Sequence, residues 1–308
     1  MIKVFIDGSA GTTGLRIHER LKERKDIERF VLEGEARKDP AARAELLNCC
    51  DIAFLCLPDD AACEDAALTE SEHTVLIDTS TAHRTSDGWA YGFPEIKGLR
   101  EKIISSRRIA NPGCHASGFI SLAAPLTDSG IIDKDQVLCC FSLTGYSGGG
   151  KKMIAQYEDN AKDLLLGAPR MYGLTQNHKH LPEMAKVSGL DNLPVFCPIV
   201  SDFYSGMEVV VTLTKDQIRG SIDDIRDVYA QYYKSGLVRF KADADEGGFM
   251  SAGAFSGRDD MQISVSGNED RIILISRFDN LGKGASGAAI QNMNIVLGLD
   301  EATGLNVF

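Results

Sequence analysis

The chain lacks an excess of positive charge, and it lacks any long apolar run. Its 308 residues carry 33 lysines and arginines against 44 aspartates and glutamates, a net charge of -11. This balance disfavours nonspecific attraction to nucleic acid or to anionic lipid. No stretch approaches the roughly 18 uninterrupted apolar residues of a membrane-spanning helix, and Met1 leads into the sequence without a signal-peptide pattern. We therefore expect no nucleic-acid partner, no membrane partner and a cytoplasmic location.

The eight cysteines lack the paired spacing of a zinc site and the framework of a disulfide-rich mini-protein. We expect most of them to be reduced and to pack as small apolar residues. Five lie in apolar contexts that favour burial, namely Cys49, Cys50, Cys56, Cys139 and Cys140.

The length of the chain favours two domains, because single cores usually stop growing near about 250 to 300 residues. Residues 1–115 alternate short apolar runs with helical patterns, which predicts an α/β, Rossmann-type dinucleotide-binding domain with a parallel sheet. Residues 116–283 contain longer strand-like segments, which predicts an α+β domain with a mainly antiparallel sheet for substrate binding, catalysis and oligomerisation. Residues from about 284 to 308 have helical spacing, and we expect them to return to the first domain.

A glycine-rich turn follows the first predicted strand, residues 3–7, and precedes a helical pattern. Glycines spaced three apart let the backbone approach a pyrophosphate, and the following helix N-terminus offers unpaired N–H groups. The pattern here is G-x-x-G-x-x-G, which by itself is also compatible with a plain tight turn. Its place at the first strand and helix favours a dinucleotide. The predicted cofactor-binding residues of this turn are Gly8, Ser9, Ala10, Gly11, Thr12, Thr13 and Gly14.

The end of the second predicted strand, residues 28–32, should lie near the adenosine ribose of the cofactor. An acidic residue there favours the free 2′-hydroxyl of NAD, and a basic residue favours the 2′-phosphate of NADP. Glu33 and Glu35 give the first signal, and Arg37 and Lys38 give the second. We favour NADP, with Arg37 and Lys38 at the 2′-phosphate; the alternative is that both are side chains of a solvated loop.

Cys114 stands where one strand is predicted to end and a helix of small and apolar residues is predicted to begin. A thiol at a helix N-terminus faces the positive end of the helix dipole, which favours the nucleophilic thiolate. Cys114 is therefore the candidate nucleophile, and the alternative is a purely structural cysteine.

The segment Asn111-Pro112-Gly113-Cys114 resembles the nucleophile motif of the N-acetyl-γ-glutamyl-phosphate reductases, which are relatives of aspartate-semialdehyde dehydrogenase. The likeness is greatest to the shorter branch of this family. Similar motifs follow in the same order along nearly the whole chain, at residues 78–84, 91–95, 145–150, 178–183 and 280–287. The resemblance implies NADPH-dependent reduction of N-acetyl-L-glutamyl 5-phosphate to the 5-semialdehyde, through a thioester on Cys114, in arginine biosynthesis.

The resemblance also implies a general acid-base and a set of binding residues. A histidine of the motif His178-Lys179-His180 would act as acid and base; the sequence leaves both open, and we favour His180. These two histidines are also compatible with a metal site, but no third ligand is nearby, so we predict no metal. Arg84 would bind the substrate anion. Further implied contacts are Asn111, Ser147 and Gly148 to the substrate and Gly284 to the cofactor near its nicotinamide.

The loop that contains Ser147 and Gly148 is flexible and rich in donors, so it is predicted either to close over the substrate or to be only a strand-to-helix turn. Two rival functions are compatible with the motifs. Aspartate-semialdehyde dehydrogenase would use the same chemistry, but the motif at residues 178–183 argues against it. A non-catalytic NADP-binding sensor would have no need of Cys114 and Arg84. We expect a small-molecule acyl phosphate as the substrate and a homo-oligomer, either a dimer or a tetramer.

Overall fold

The computed structural model describes residues 1–307, which form two compact units. The first unit consists of Met1–Pro112 and Ala285–Leu305. The second consists of Gly113–Gly284 and the described residues after Leu305. The chain thus leaves the first unit and returns to it for its last helix.

The first unit contains a six-stranded sheet in which every pairing is parallel, in the order β2-β1-β3-β4-β6-β5. Its strands are β1 (Ile2–Asp7), β2 (Ile27–Phe30), β3 (Ile52–Leu55), β4 (Val75–Asp78), β5 (Ala90–Tyr91) and β6 (Arg108–Ala110). Its helices are α1 (Thr12–Leu21), α2 (Pro40–Cys49), α3 (Asp59–Leu68), α4 (Leu99–Ser105) and the last helix of the chain, α9 (Gly287–Val296).

Helices cover both faces of this sheet, which explains why its strands are apolar at successive positions. Val4 and Ile6 of β1 belong to a core cluster that also includes Ile17 of α1 and Met293 of α9. Phe5, between them, points to the opposite face, where it packs in a second cluster with α2 and α3. All four residues of β3 are buried. The alternation of apolar runs and helical patterns therefore predicted the layered sheet correctly.

The second unit contains a seven-stranded sheet in the order β11-β12-β13-β10-β7-β9-β8. Its strands are β7 (Cys139–Gly145), β8 (Arg170–Met171), β9 (Val195–Ser201), β10 (Met207–Thr214), β11 (Val238–Phe240), β12 (Met261–Gly267) and β13 (Arg271–Phe278). Its helices are α5 (Cys114–Asp128), α6 (Gly150–Glu158), α7 (Leu181–Ser188) and α8 (Ile222–Tyr232). Only the pairs β11–β12 and β7–β9 are parallel. The prediction of a mainly antiparallel sheet is thus confirmed.

Helix α5 packs against this sheet and is buried along almost its whole length. A Cβ atom on Gly118 would lie 2.3 Å from Cγ2 of Val209 on β10, so glycine is required where the helix approaches the sheet most closely. Although α5 is long and apolar, no helix within residues 1–307 has the length and hydropathy needed to cross a membrane.

The prediction that the cysteines in apolar contexts are buried was wrong for Cys49, which is exposed, and too strong for Cys56 and Cys139, which are half-buried. Only Cys50 and Cys140 of that group are buried, although all eight thiols are free. Cys49 follows the buried Leu47 by two residues on α2. Two residues rotate a side chain by about 200° around a helix, so Cys49 points to solvent.

Candidate active site

Cys114 is the first residue of α5, as the sequence predicted, and its side chain is half-buried. The preceding residue, Gly113, caps the helix without a side chain. The Gly113 N–H donates instead to Oε2 of Glu183, over 3.1 Å. Because the Glu183 side chain is only 1% exposed, its carboxylate is a fixed negative group at the start of the nucleophile's helix.

Gly284 lies directly against the nucleophile. A Cβ atom at this position would come within 2.9 Å of Cβ of Cys114, so any larger residue would push the thiol out of place. The Gly284 N–H donates to the main-chain carbonyl of Asp279, which fixes the turn. Gly284 was predicted to contact the cofactor; its observed contact is with the nucleophile itself, and the cofactor contact stays a prediction.

Asp279 organises the turn that carries Gly284. Its fully buried carboxylate accepts hydrogen bonds from Ser205 Oγ at 2.7 Å and from the N–H groups of Gly257, Leu281 and Gly282 at 2.5, 2.7 and 2.9 Å. Four donors on one carboxylate hold the backbone in a single conformation. Asp279 thus fixes the backbone at the start of the motif at residues 280–287.

Ser147 and Gly148 lie in a 3-10 turn, Tyr146–Gly149, between β7 and α6. The Ser147 side chain is 1% exposed, and its Oγ accepts a hydrogen bond from Nδ2 of Asn280. Gly148 is exposed. In this structure the loop is a strand-to-helix turn with the Ser147 hydroxyl engaged inside the protein, and its closure over the substrate stays a prediction.

The two candidate histidines of the motif His178-Lys179-His180 lie side by side, with ring centroids 4.8 Å apart. The third ring of this group belongs to His115, which is 5.6 Å from the ring of His180 and 5.9 Å from that of His178. The three histidines thus form an aromatic cluster in the same unit as Cys114. Within residues 1–307 no group of three His, Cys, Asp or Glu side chains has the arrangement of a metal site.

His180 is 6% exposed, and its Nε2 lies 3.9 Å from Oε1 of Glu183. The same carboxylate thus faces the start of the nucleophile's helix and the candidate acid-base. His178 is half-buried, and its Nδ1 accepts a hydrogen bond from the His180 N–H. Burial, with a smaller contribution from Lys179, lowers the pKa of His178.

His115 follows the nucleophile and is held from both sides. Its Nδ1 lies 2.6 Å from Ser142 Oγ, and its Nε2 lies 2.7 Å from the hydroxyl of Tyr172. Burial, together with repulsion from a protonated His178, lowers the pKa of His115 to about 3. Burial also raises the pKa of Tyr172, and the nearby Cys114 thiolate adds to this effect. His115 is therefore a neutral ring that orients Tyr172, and it does not titrate near neutral pH.

The depressed pKa of His115 predicts a loss of stability on acidification. The unfolded chain binds a proton on this histidine below about pH 6.5, but the folded ring does so only near pH 3, so acid favours unfolding between these values. From about pH 7 to about pH 5, wild type should lose about 2 kcal/mol more of its free energy of unfolding than His115→Gln. Urea denaturation at both pH values measures this. Equal losses in the two proteins would contradict a neutral buried His115.

In the first unit, the glycine-rich turn at residues 8–14 leads tightly into α1, and we call it the glycine cradle. Gly8 has a φ of 78°, and a Cβ there would lie 2.1 Å from the carbonyl oxygen of Cys56. A Cβ on Gly14 would lie 2.4 Å from the carbonyl oxygen of Gly8. Gly11 caps α1, which has no acidic residue in its first turn. The backbone thus offers the close approach and the positive helix end that a pyrophosphate requires.

Arg37 and Lys38 lie in an exposed 3-10 turn, Gly34–Lys38, after β2. The Lys38 ammonium is 3.2 Å from a carboxylate oxygen of Glu35, and the Arg37 Nε donates to the carbonyl of Gly34. Glu35, which favoured NAD, and Lys38, which favoured NADP, therefore form an ion pair with each other on one exposed turn.

Arg84 and Asn111 are brought together in the first unit. The Arg84 Nε donates to the Asn111 carbonyl at 3.0 Å, and one terminal nitrogen donates to the carbonyl of Thr79 at 3.2 Å. The Asn111 side chain is 1% exposed, and its Nδ2 donates to the carbonyl of Ala285. Both residues thus fix main-chain segments in this structure, and the predicted contacts with substrate stay predictions.

Several residues with a clear place in the site were not singled out from the sequence, namely Glu183, Tyr172, Ser142 and Asp279. Glu183 was part of the motif at residues 178–183, but its contact with Gly113 spans 70 positions. Tyr172 is 57 positions from His115, and nothing in its own surroundings predicts a polar role. Only the three-dimensional fold brings these pairs together.

Comparison with known families agrees with this arrangement. Residues 3–105 match the family described as semialdehyde dehydrogenase, NAD binding domain, and residues 114–280 match semialdehyde dehydrogenase, dimerisation domain. Among solved structures, aspartate semialdehyde dehydrogenase II of Vibrio cholerae has a TM-score of 0.73 at 16% identity, covering 97% of this chain and 98% of that one. The aspartate semialdehyde dehydrogenase of Candida albicans has a TM-score of 0.70 at 12% identity, covering 97% and 99%. These likenesses show the fold.

The relatives in the sequence comparison have a much higher identity to this chain. The chain is 44% identical to N-acetyl-gamma-glutamyl-phosphate reductase 2 of Nostoc sp., over 98% of this chain and 99% of the relative. It is also 44% identical to the N-acetyl-gamma-glutamyl-phosphate reductase of Brucella ovis, over 96% and 99%. Identity at this level over nearly the whole of both chains shows the family. The chain belongs to the N-acetyl-gamma-glutamyl-phosphate reductases.

Proposed function

We propose that this protein reduces N-acetyl-L-glutamyl 5-phosphate to N-acetyl-L-glutamate 5-semialdehyde with NADPH, as a cytoplasmic enzyme of arginine biosynthesis. The observation that carries the proposal is the position of Cys114 at the start of α5, with the Glu183 carboxylate at the helix cap and against His180. The names of the reductase relatives supply the substrate. The glycine cradle at Gly8 and Gly14 fits a dinucleotide because side chains there would fill it.

The chemistry begins with attack by the Cys114 thiolate on the 5-acyl carbon. Phosphate leaves with the electron pair of the C–O bond and takes up a proton from water, and a thioester remains on Cys114. NADPH, when bound, supplies the hydride that reduces this thioester. A histidine donates a proton to the carbonyl oxygen as the thiohemiacetal forms. The same histidine takes the proton back as the carbonyl re-forms, and the aldehyde and the free thiolate separate.

We assign the proton transfer to His180 and substrate binding to His178. A carboxylate oxygen of Glu183 lies 3.9 Å from Nε2 of His180, so an opposite charge stands beside the ring that would carry the proton. Burial and Lys179 lower the pKa of His178, which disfavours that form. Arg84 remains our candidate for the substrate anion, and Asn111, Ser147 and Gly148 remain candidates for further contacts with the substrate.

The reverse reaction tests this function. Purified protein with NADP, phosphate and N-acetylglutamate 5-semialdehyde should form NADPH, and removal of phosphate should stop turnover. Glutamate 5-semialdehyde, which lacks the acetyl group, and aspartate semialdehyde should react far more slowly. Preference for aspartate semialdehyde would favour the rival dehydrogenase, and tight NADP binding without turnover on any aldehyde would favour the sensor.

We propose NADP as the preferred cofactor, with Arg37 and Lys38 at the 2′-phosphate. Replacing both by alanine should weaken NADPH binding about tenfold and NADH binding much less, because only NADPH carries the phosphate that these cations would pair with. Fluorescence titration with each cofactor measures the effect. The matched control is Lys22→Ala with Lys25→Ala, which removes the same charge from exposed positions at the far end of α1. Equal weakening of both cofactors by the Arg37 and Lys38 changes would contradict the assignment.

We propose that the protein forms a homo-oligomer through the face of the second sheet that α5 leaves open. Phe141, Val195 and Ile273 are 41%, 46% and 38% exposed on β7, β9 and β13. Their chain neighbours on the opposite face, such as Cys140 and Phe196, are at most 1% exposed. An apolar sheet face of this kind is typical of a subunit interface, and the match of this unit to a dimerisation domain supports it.

Phe141→Asp should dissociate the oligomer, because association would bury an unpaired carboxylate from each subunit. Size-exclusion chromatography with light scattering measures the assembly. The control is Leu299→Asp, which places the same charge at a 37% exposed apolar position of the first unit and should leave the assembly unchanged. A Phe141→Asp protein with the wild-type assembly would place the interface elsewhere.

A further inference from the structure

A cysteine–histidine pair lies in the first unit. Its histidine, His83, belongs to the motif at residues 78–84, from which only Arg84 has been given a role, and its cysteine is Cys63 of α3. The loop after β4 holds the start of α3, because the N–H and Oγ1 of Thr81 donate to the Asp59 carboxylate at 2.8 and 2.5 Å. Cys63 lies one helical turn after Asp59 and so shares its face of α3. This places Cys63 Sγ 3.8 Å from Nε2 of His83.

The His83 ring is fixed on its other edge and on one face. Its Nδ1 lies 2.7 Å from Oδ2 of Asp78, whose side chain is fully buried and also accepts hydrogen bonds from the N–H and Oγ of Ser80. The ring stacks on Trp89 with centroids 3.9 Å apart and planes 12° apart. Because the carboxylate accepts the Nδ1 proton, Nε2 is the acceptor that faces the thiol of Cys63.

The thiol of Cys63 thus contacts the imidazole of His83, which in turn contacts the carboxylate of Asp78. A thiol, an imidazole and a carboxylate in this order form the arrangement that activates a cysteine by general base catalysis. Cys63 is exposed, so reagents in solution can reach it. It is also in a different unit from Cys114. We propose that Cys63 is a site of covalent modification, at which His83 acts as the base, Asp78 orients His83, and low-molecular-weight disulfides are the reagent.

The reaction is thiol–disulfide exchange. Nε2 of His83 takes the Cys63 proton as the sulfur attacks one sulfur of the reagent. The S–S bond of the reagent breaks, and its electron pair leaves with the second sulfur as a thiolate. That thiolate then takes the proton from His83, which returns to its neutral form. Cys63 ends in a mixed disulfide, one half of the reagent ends as a free thiol, and no other oxidant is consumed.

His83 is the base beside Cys63, and acidic residues neighbour this cysteine on α3. Asp59 lies one turn before it on the same helix face, and Glu64 follows it in the chain. Thiol–disulfide exchange removes the thiol proton, and the His83 ring is a base in contact with the Cys63 sulfur. The rate at Cys63 therefore depends on His83 rather than on exposure alone.

Cys49 provides an internal control for exposure. It is also exposed in the first unit, and its sulfur donates to the carbonyl of Leu46, at 3.7 Å. The full-length protein, incubated with oxidised glutathione at neutral pH, is digested and analysed by peptide mass spectrometry over time. We expect Cys63 to form the mixed disulfide at least about tenfold faster than Cys49. Equal or slower modification of Cys63 would overturn the proposal.

The His83→Gln variant tests the role of the base. Glutamine keeps a polar side chain of similar reach but cannot accept and release a proton at neutral pH. We expect the rate at Cys63 to fall to that of Cys49, while the rate at Cys49 stays at its wild-type value and reports that the unit is folded. An unchanged Cys63 rate with an unchanged Cys49 rate would show that His83 is not the base.

Discussion

Replacing Cys114 by serine is expected to lower the maximal rate by about 10³-fold or more, because a hydroxyl at neutral pH is a far weaker nucleophile than a thiolate. NADPH affinity should stay at its wild-type value, since the glycine cradle belongs to the other unit. Phosphate-dependent oxidation of the semialdehyde gives the rate, and fluorescence titration gives the affinity.

The matched control for this variant is Cys197→Ser, a half-buried cysteine of the same unit that lies on a strand rather than at a helix start. It should keep the wild-type rate. If Cys114→Ser, prepared without wild-type contamination, retained a substantial part of the activity, the thioester route would be wrong.

His180→Asn is expected to lower the maximal rate by about 10²-fold, the usual size of a general acid-base contribution. Asparagine keeps a polar side chain but has no group that titrates near neutral pH. Alkylation of Cys114 by iodoacetamide should remain possible, because Gly113 and Glu183 still form the helix cap. Steady-state kinetics and peptide mass spectrometry measure the two effects separately.

His178→Asn serves as the matched comparison, since it makes the same change in the adjoining ring. It should act mainly by raising the Michaelis constant. If His178→Asn abolished turnover and His180→Asn only raised the Michaelis constant, the two roles would have to be exchanged. If neither variant affected turnover, the proton would have to come from another group.

Much of the fold was predictable because its signals are local. The apolar run at residues 108–110 is the strand β6, and the change of residue type at Cys114 marks the start of α5. The homology to the reductases, first indicated by short motifs, is confirmed by 44% identity over nearly the full length. Local patterns also predicted the parallel sheet, since strands covered on both faces are apolar at successive positions, as in β3.

The parts that were not predictable depend on contacts between distant positions. The sequence could not show that Glu183 reaches Gly113 or that Tyr172 reaches His115, because no periodicity relates such pairs. The ionic contact between Lys38 and Glu35 is local, but it depends on the exact position of the turn after β2, which ends at Phe30, two residues before the predicted end. Side-chain partners thus have to be read from the fold.

The central claim is that the acyl group passes through a thioester on Cys114, and a rapid-mixing experiment without phosphate tests it directly. Protein mixed with N-acetylglutamate 5-semialdehyde and NADP should release a burst of one NADPH per subunit, because hydride transfer from the thiohemiacetal leaves a thioester that only phosphate can resolve quickly. Addition of phosphate should then restart turnover. Continuous turnover at full rate without phosphate, or an equal burst from Cys114→Ser, would contradict the thioester.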